Sequence, residues 1–413
     1  MKKENSTVTV EEAIELILNS IKPLSGEKVS ILEADGRALY EDIVSNIDIP
    51  PLDNSAMDGY AVIAQDTKGA SKENPIKLSV TGEIQAGGDY LDKIVKSGTA
   101  VRIMTGAPIP KGADAVIMVE YTSEESDIVS IFRDVKKGEN IRLAGEDIRK
   151  DSVVLTKGER LKSADIGLLA SLNYKSVMVY RSPDVAIIST GDEIAEIGED
   201  ISPGQIRNSN SYTLYSDLKR YNAIPHYLGI ARDTFEETKE KFIQALKCDI
   251  ILTTGGVSMG KYDFVKDVIA DLGIEIMFSW IRMKPGRPCI FGTMGNKLFF
   301  GLPGNPVSTM ISFVQFVRPA ILRMMGAERI KKPVVSAILR EDIRKKPDRT
   351  NFIRGIFTVE DGEFYVTTTG LQGSGILSSM SVANCLIIIP QGIASVDAGD
   401  RVSIQLIYHE ELA

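Results

Sequence analysis

Two glycine-rich segments have the composition of anion-binding turns. Residues 253–260 (Thr-Thr-Gly-Gly-Val-Ser-Met-Gly) follow an apolar run and precede a helical pattern, and residues 301–308 (Gly-Leu-Pro-Gly-Asn-Pro-Val-Ser) repeat this arrangement. The backbone N–H groups of such a turn converge on a phosphate at the positive end of the following helix. Either segment alone is also compatible with a simple tight turn. Together, at the ends of two strands, they predict a phosphate or pyrophosphate site.

Acidic side chains accompany these turns along the sequence. Asp192 and Glu193 follow a predicted strand, Asp233 precedes a predicted helix, and Asp263 lies just past the first glycine-rich turn. Helix capping explains Asp233 and Asp263 equally well when each is taken singly. Carboxylates beside a phosphate repel it unless a divalent cation intervenes, so the group predicts Mg²⁺. The chain has only two histidines, which argues against a zinc site and a Ser-His-Asp triad.

A loop at residues 284–288 (Lys-Pro-Gly-Arg-Pro) carries two cations. Its prolines and glycine stiffen it and keep Lys284 and Arg287 near each other. An exposed turn with two charges is the simplest interpretation of this loop alone. Two cations on a stiff loop also supply the charge-assisted donors that a tetrahedral oxyanion requires.

The elements that position these residues follow from the apolar pattern. From residue 183 onward, short apolar runs alternate with helical patterns, which predicts a doubly wound parallel sheet with helices on both faces. Ligands of such sheets bind beyond the carboxyl ends of the strands. The β-type runs of residues 47–135 predict a small β domain, and those after residue 333 predict a β barrel without a clear helix. A capping box at Thr9 to Glu12 predicts a first helix.

Composition restricts the classes of function. A chain of 413 residues is expected to form several domains, and its net charge of −8 argues against nucleic-acid or membrane-surface partners. The N-terminus has no apolar signal segment, and prolines interrupt the apolar region 298–317, so we expect no spanning helix. Three cysteines that form no motif are typical of a reducing cytoplasm.

Seven motifs resemble the MoeA family of molybdenum cofactor biosynthesis, in the family's order and across nearly the whole chain. They are residues 54–60 (Asn-Ser-Ala-Met-Asp-Gly-Tyr), 102–108, 145–148, 189–193, 254–258, 283–286 and 301–308. The resemblance implies an α/β multidomain fold in four parts. These are a helical linker domain at residues 1–45 and 141–180, an inserted β-rich domain at 46–140, a doubly wound α/β molybdopterin-binding domain at 181–328, and a C-terminal β barrel at 329–413.

The same resemblance implies a reaction and its residues. Adenylylated molybdopterin and molybdate would give molybdenum cofactor and AMP, with Mg²⁺, in a cytoplasmic homodimer that can also contact the preceding adenylyltransferase. The implied catalytic residues are Asp58, Asp147, Glu193, Asp233, Asp263 and Lys284. Of these, Asp233 and Asp263 would bind the metal, and Asp58 would reach into the site of the partner subunit. The implied residues of the pterin-phosphate cleft are Thr105, Gly255, Gly256, Ser258, Pro303, Gly304, Asn305 and Pro306. The implied molybdate residues are Lys284, Arg287, Pro288, Arg354 and Ser374.

The chain departs from the resemblance at two positions. Trp280 stands where some relatives have a second lysine, and Arg282 is a candidate to supply that charge; Arg287 stands where lysine is frequent. Two other functions stay open: a molybdopterin adenylyltransferase, whose single domain resembles the sheet region, and a non-catalytic scaffold of the same fold. The inserted β domain and the barrel argue against the first, and the retained acidic residues argue against the second.

Overall fold

The computed structural model of the chain describes residues 7–256 and 264–407. Their contacts form two compact units. The first unit contains the described residues up to 41, residues 158–166 and the described residues from 175 onward; the second contains residues 42–157 and 167–174. The α-helices of the described residues are α1 (Val10–Asn19), α2 (Ser163–Ser171), α3 (Ser209–Arg220), α4 (Phe235–Ala245), α5 (Val265–Asp271), α6 (Pro306–Ser312), α7 (Arg318–Met324) and α8 (Ser378–Val382). None of the described helices is long and apolar enough to cross a membrane.

The predicted capping box at the start of α1 is confirmed. The Thr9 hydroxyl accepts a hydrogen bond from the Glu12 backbone N–H, and the Glu12 carboxylate accepts one from the Thr9 backbone N–H at 2.7 Å. Both bonds satisfy N–H groups that the first helical turn leaves without partners. Ala13 and Ile17 then point into the core of the first unit.

A seven-stranded sheet forms the centre of the first unit. Its strands lie in the order Thr7–Val8, Glu275–Ile281, Pro288–Met294, Lys297–Leu302, Ile250–Thr254, Asp184–Thr190 and Ile224–Ala231. Alternate residues of the central strands enter two apolar cores on opposite faces, as the two-residue period of a strand dictates. Val185 and Ile187 share a core with α3, α6 and α7, whereas Ala186 and Ile188 share one with α4 and α5. The predicted doubly wound arrangement is therefore confirmed.

The prediction of an entirely parallel sheet was wrong at one strand. Pro288–Met294 runs antiparallel to both of its neighbours, Glu275–Ile281 and Lys297–Leu302. This strand begins at Pro288, at the end of a loop rich in proline and glycine. A proline is nevertheless tolerated as the first residue of a strand, where its missing N–H breaks no ladder bond.

The β barrel predicted after residue 333 is confirmed as a closed five-stranded barrel. Its strands pair in the cyclic order Thr350–Glu360, Glu363–Thr368, Val334–Leu339, Arg401–Leu406 and Cys385–Ile389. The pair Met283–Lys284 adds to this sheet in parallel, opposite Thr350 and Asn351. The expectation that this region lacks a helix was wrong, because the short helix α8 precedes the strand Cys385–Ile389.

The second unit is built on a six-stranded sheet. Its strands lie in the order Ala115–Met118, Gly59–Val62, Thr99–Ile103, Ile76–Ile84, Ile128–Ile131 and Thr122–Glu125. Tyr60 and Val62 face one apolar core and Ala61 faces another, so both faces of the sheet are covered. Gly59 is required by the close approach of the neighbouring strand, because a Cβ there would lie 1.9 Å from the Ile117 carbonyl oxygen.

Short two-stranded ladders complete both units. The pairs are Gly26–Ser30 with Ser176–Tyr180, Ile43–Val44 with Val153–Leu155, Asn54–Ser55 with Ile141–Arg142, Ile194–Ala195 with Ile206–Arg207, and Ile343–Arg344 with Ser395–Val396.

Buried charges fix the segment that connects α7 to the barrel. The Lys332 ammonium donates to the Ile407 carbonyl at 2.7 Å, and Arg318 donates to the Ile330 carbonyl at 2.8 Å. Burial lowers the pKa of Lys332 to about 8 and raises the pKa of Asp217, on α3, to about 6. In both cases loss of hydration outweighs the attraction of neighbouring opposite charges.

This pKa of Asp217 predicts a pH dependence of stability. A carboxyl whose pKa is raised on folding stabilises the fold while it is protonated, and that contribution is lost as pH rises through about 6. We expect Asp217→Asn to gain on the order of 1 kcal/mol of unfolding free energy relative to the native chain between pH 5 and pH 7. Urea titrations at several pH values measure this difference, with Asp200→Asn, which removes an exposed carboxylate, as the control. Parallel pH profiles for Asp217→Asn and the native chain would contradict the assignment.

Candidate active site

A polar cleft of about 300 Å³ opens at the carboxyl ends of the central strands of the first unit. Its lining residues come from the ends of three strands or the segments after them, from the first turn of α3, and from the start of α6. They are Ser189, Thr190, Glu193, Ile194, Ile206, Arg207, Asn208, Ser209, Asn210, Thr254, Gly304, Asn305 and Pro306. The position agrees with the rule for ligand binding at open α/β sheets.

Asn208 fixes the first turn of α3 at this cleft. Its side-chain oxygen caps the helix by accepting from the Ser211 N–H, and it also accepts from the Ser189 hydroxyl at 2.9 Å. The strand end and the helix start are thereby held together. The N–H groups of Ser209 and Asn210, which precede Ser211 in this turn, lie where the helix dipole favours an anion.

Asn210 joins the two glycine-rich turns. Its amide donates to the Thr254 hydroxyl at 2.6 Å and to the Gly304 carbonyl at 2.8 Å. The turns lie side by side because their strands, Ile250–Thr254 and Lys297–Leu302, pair in parallel. The prediction that they stand at neighbouring strand ends is confirmed. A Cβ built on Gly304 would lie only 3.7 Å from the Gly255 Cα atom.

One hydroxyl at the cleft has no protein partner in the part of the chain that the structure describes. The Thr190 hydroxyl oxygen is buried and makes no hydrogen bond there. Buried polar groups in folded proteins are almost always hydrogen-bonded, so an orphan at the wall of a cleft indicates a bound water or ligand atom. Thr190 was not among the predicted site residues.

Two of the predicted carboxylates lie close together beside the cleft. Glu193 lines it, and the Asp233 N–H donates to the Asp192 carboxylate at 3.2 Å. Burial raises the pKa of Asp233, and the negative charges of Asp192 and Glu193 raise it further. The capping interpretation of Asp233 was wrong, because Thr234 is the N-cap of α4.

These carboxylates suit Mg²⁺ in donor type. Within the described ranges no group of three acidic, histidine or cysteine side chains forms a metal site. Mg²⁺ is usually held by one or two carboxylates together with substrate phosphates and water, so the carboxylates beside the cleft meet that requirement. Two predicted residues, Asp263 and Ser258, lie outside the described residues.

Three cations gather where the barrel meets the sheet of the first unit. In the parallel pairing of Met283–Lys284 with Thr350–Glu360, Lys284 lies opposite Asn351, on the strand that also carries Arg354. Burial lowers the pKa of Lys345, and the positive charges of Lys284 and Arg354 lower it further. Lys284 and Arg354 therefore each lie within electrostatic range of Lys345, and we call these three residues the cation group. Lys345 was missed from the sequence, although the run Arg344-Lys-Lys346 was a visible signal of local positive charge.

Arg354 organises the loop that carries Ser374. Its buried guanidinium donates to Ser379 and to the carbonyls of Leu371, Gln372 and Gly373, at 3.0 to 3.3 Å. These bonds use most of its five N–H donors. Burial also lowers the pKa of Arg354. The molybdate role predicted for Arg354 remains a prediction, and the hydrogen bonds give it a positioning role.

A backbone hydrogen bond connects the cation group to the cleft. The Val307 N–H in the first turn of α6 donates to the Ser374 carbonyl at 3.1 Å. The preceding residues of the same turn, Asn305 and Pro306, line the cleft. Pro303 lies just before them, and its carbonyl accepts from the Thr309 hydroxyl at 2.5 Å. The loop held by Arg354 and the polar cleft are therefore adjacent.

Arg287 contacts an aromatic ring beside a second cleft. Its guanidinium stacks over the Trp280 ring at 5.4 Å and lines a cleft of about 280 Å³ with Arg282 and Arg349, to which Lys284 does not contribute. Pro288 begins the strand that runs antiparallel in the sheet. The molybdate roles of Arg287 and Pro288 remain predictions.

In the second unit, Asp58 and Thr105 form a hydrogen-bonded pair. Oδ1 of Asp58 accepts from the Thr105 N–H at 2.7 Å and from the Thr105 hydroxyl at 2.8 Å. These bonds lower the pKa of Asp58, with the backbone bond as the larger cause. Asp147 is exposed and its N–H donates to the Ile49 carbonyl. Both carboxylates are accessible to solvent.

The fold and the site define a class of protein: a multidomain α/β protein with a polar cleft at the strand ends and an adjoining group of cations. Comparisons with known proteins give the particular family. Residues 8–173 match the MoeA N-terminal region (domains I and II), residues 186–323 match a probable molybdopterin-binding domain, and residues 336–407 match the MoeA C-terminal region (domain IV). The chain belongs to the MoeA family.

Individual relatives agree with this assignment. The chain is 39% identical over 407 residues to a molybdopterin molybdenumtransferase of Haemophilus influenzae, covering 97% of this chain and 99% of that protein. It is 37% identical to the Bacillus subtilis protein of the same name, covering 99% and 96%. A crystal structure of a molybdopterin biosynthesis MoeA protein from Pyrococcus horikoshii superimposes with a TM-score of 0.83 at 37% identity, covering 97% of this chain and all of that one.

The geometry of the glycine turns predicts different effects of two alanine substitutions. Gly255 has a φ of +91°, and a Cβ there would lie 2.7 Å from the Thr190 carbonyl oxygen. We expect Gly255→Ala to lower the unfolding free energy by about 1–3 kcal/mol. Gly304→Ala, which meets only an ordinary contact, should change it by less than about 0.5 kcal/mol. Urea unfolding of both variants tests this, and equal losses would show that the first turn is not constrained as described.

Proposed function

We propose that this chain is a molybdopterin molybdenumtransferase, which inserts molybdate into adenylylated molybdopterin and releases AMP and molybdenum cofactor. The observation that carries the proposal is the adjacency of the anion cleft and the cation group, joined by the hydrogen bond from Val307 to Ser374. A phosphorylated pterin and a metal oxyanion must lie side by side for the metal to reach the dithiolene sulfurs. The full-length similarity to relatives of that name supports the same conclusion.

The cleft binds and orients the pyrophosphate of the substrate in this mechanism. The first-turn N–H groups of α3, the Thr190 hydroxyl and the backbone of the glycine turns are the donors. Preorganised donors stabilise the charge that develops on the phosphate oxygens as AMP leaves. The cation group neutralises molybdate, and Arg354 holds the Ser374 loop in place.

Asp233 and Asp263 would hold Mg²⁺ beside the phosphates, where the cation would polarise the phosphoanhydride. Glu193 and Asp192 add negative charge beside Asp233, which would help to retain a cation next to bound phosphates. Asp58, held by Thr105, completes the acidic set in our proposal by reaching the active site of a second subunit in a homodimer. A further partner is the adenylyltransferase that supplies the substrate.

Two observations favour this function over the alternatives. An adenylyltransferase needs only the sheet domain, whereas this chain also has the regions matched by the MoeA N- and C-terminal models. A scaffold without catalysis would not require a group of carboxylates beside the cleft, where burial and the negative charges of Asp192 and Glu193 raise the pKa of Asp233.

The direct experiment mixes the purified chain with adenylylated molybdopterin, molybdate and Mg²⁺. AMP and molybdenum cofactor should form together, and both should require the metal cation. A parallel reaction with tungstate measures selectivity, and one with ATP and unmodified molybdopterin tests for adenylylation. Adenylylation without molybdenum insertion would replace the proposed function with the first alternative, and the absence of any turnover would favour the scaffold.

Charge removal at the cleft should reduce the response to Mg²⁺. We expect Glu193→Gln and Asp233→Asn to raise the Mg²⁺ concentration for half-maximal AMP release by about tenfold or more, because each weakens the negative potential that retains the cation. Asp200→Asn, which removes an exposed carboxylate outside the lining of the cleft, is the matched control. Unchanged Mg²⁺ titrations in the two cleft variants would contradict this role.

Lys345 should contribute to oxyanion binding. Removing one of three neighbouring cations with Lys345→Gln is expected to weaken molybdate binding by about tenfold. Lys346→Gln removes an adjacent exposed charge and should have a much smaller effect. Equilibrium dialysis with molybdate at low and at physiological salt measures both. Equal effects of the two substitutions would show that only net charge matters.

A further inference from the structure

An aromatic pocket of about 220 Å³ lies next to the anion cleft and has no role in the mechanism so far. It is lined by Ser211, Tyr212, Tyr215 and Tyr227, and we call these four residues the tyrosine pocket. Tyr212 and Tyr215 are each about two-fifths exposed, at 41% and 40%. They stand on successive turns of α3, so their rings face the same side of the helix.

Hydrogen bonds fix the orientation of two of the rings. The Tyr212 hydroxyl donates to Oε1 of Glu196 at 2.6 Å, and the Tyr227 hydroxyl donates to Oε2 of the same carboxylate. The ring centroids of Tyr212 and Tyr227 are 6.1 Å apart. Both hydroxyl protons are thus committed to Glu196, and the pocket presents mainly ring carbon to a ligand.

Asn208 connects the tyrosine pocket to the anion cleft. Its side-chain oxygen caps α3 at the cleft, and its amide nitrogen donates to the Tyr227 hydroxyl at 2.7 Å. Ser211 continues this link, because its hydroxyl is 2.7 Å from that of Ser189 in the cleft. The cleft and the tyrosine pocket are therefore neighbouring sites joined by one hydrogen-bond network.

The substrate of the proposed function carries two flat ring systems, one on each side of its phosphates. A pterin has a polar edge of amino and oxo groups that needs matching hydrogen-bond partners when buried. The tyrosine pocket offers stacking surface and few free donors or acceptors. Adenine stacks well on aromatic rings, and it loses less binding free energy than a pterin when its polar edge stays in water. Adenine therefore suits this environment better.

Resting on the proposed function, we propose that the tyrosine pocket binds the adenine of the adenylylated substrate and of the AMP product. Tyr212 and Tyr227 supply the stacking surface, and Glu196 is a positioning residue that holds their rings. The pocket then distinguishes the nucleotide leaving group from a simple phosphate ester, because the base contributes binding that the phosphate alone lacks.

The test measures binding of AMP, ribose 5-phosphate and 6-hydroxymethylpterin to the full chain by calorimetry. AMP should bind the native chain more tightly than ribose 5-phosphate. Tyr212→Leu should weaken the binding of AMP by about tenfold and leave the binding of ribose 5-phosphate unchanged. Tyr212→Phe keeps the ring, so its affinity for AMP should stay within about threefold of that of the native chain. Tyr365→Leu, a substitution in the barrel, is the matched control.

The outcomes separate this inference from the proposed function. Binding of neither AMP nor ribose 5-phosphate to the native chain would contradict the proposed function and the inference together. Equal binding of both phosphates, or an AMP affinity unaffected by Tyr212→Leu, would overturn the inference alone. If Tyr212→Leu weakened only the binding of 6-hydroxymethylpterin, the inference would also be overturned, because the tyrosines would then bind the pterin ring and not the adenine.

Discussion

The parallel pairing of two strands determines the whole candidate site. Ile250–Thr254 and Lys297–Leu302 run side by side in register, so the glycine turns that follow them emerge at the same edge of the sheet. An anion that contacts both turns would receive N–H donors from two neighbouring strand ends. The Asn210 amide then bridges the two turns and brings the first turn of α3 to the same place. Loss of this pairing would separate the two glycine turns.

Much of this arrangement could be predicted because it depends on local pattern. Alternating strands and helices fix which ends of the strands meet, and the acidic residues that follow those ends come together as a consequence, as Glu193 and Asp233 do. The strand Pro288–Met294 could not be predicted in the same way. Its sequence begins in a proline-rich loop, and its direction is set by the two neighbours between which it lies rather than by its own residues.

The side-chain groups that were missed have a different origin. Lys345 joins Lys284 and Arg354 only after the barrel has closed, and no sequence spacing relates the three residues. The tyrosine pocket likewise unites α3 with a strand of the sheet, and the carboxylate that orders its rings comes from a third segment. A lone tyrosine in a sequence is more often part of a core than of a site. Only the shared hydrogen-bond partner distinguishes these tyrosines.

In the proposed function, the cation group combines one charge that is fixed by hydrogen bonds with two that are free to bind an oxyanion. Arg354 is buried and donates most of its hydrogen bonds to backbone carbonyls of the loop that carries Ser374. It therefore contributes positive electrostatic potential and holds that loop, and has few donors left for direct contacts with an oxyanion. Lys284 is exposed and Lys345 is half-buried, and within the described residues neither ammonium has a hydrogen bond or an ion pair. A compact, well-hydrated ammonium exchanges water for an oxyanion without rearrangement of the fold. A site that must accept molybdate and then give up its metal benefits from this division, because the structure stays preorganised while the contacts to the oxyanion remain easy to break.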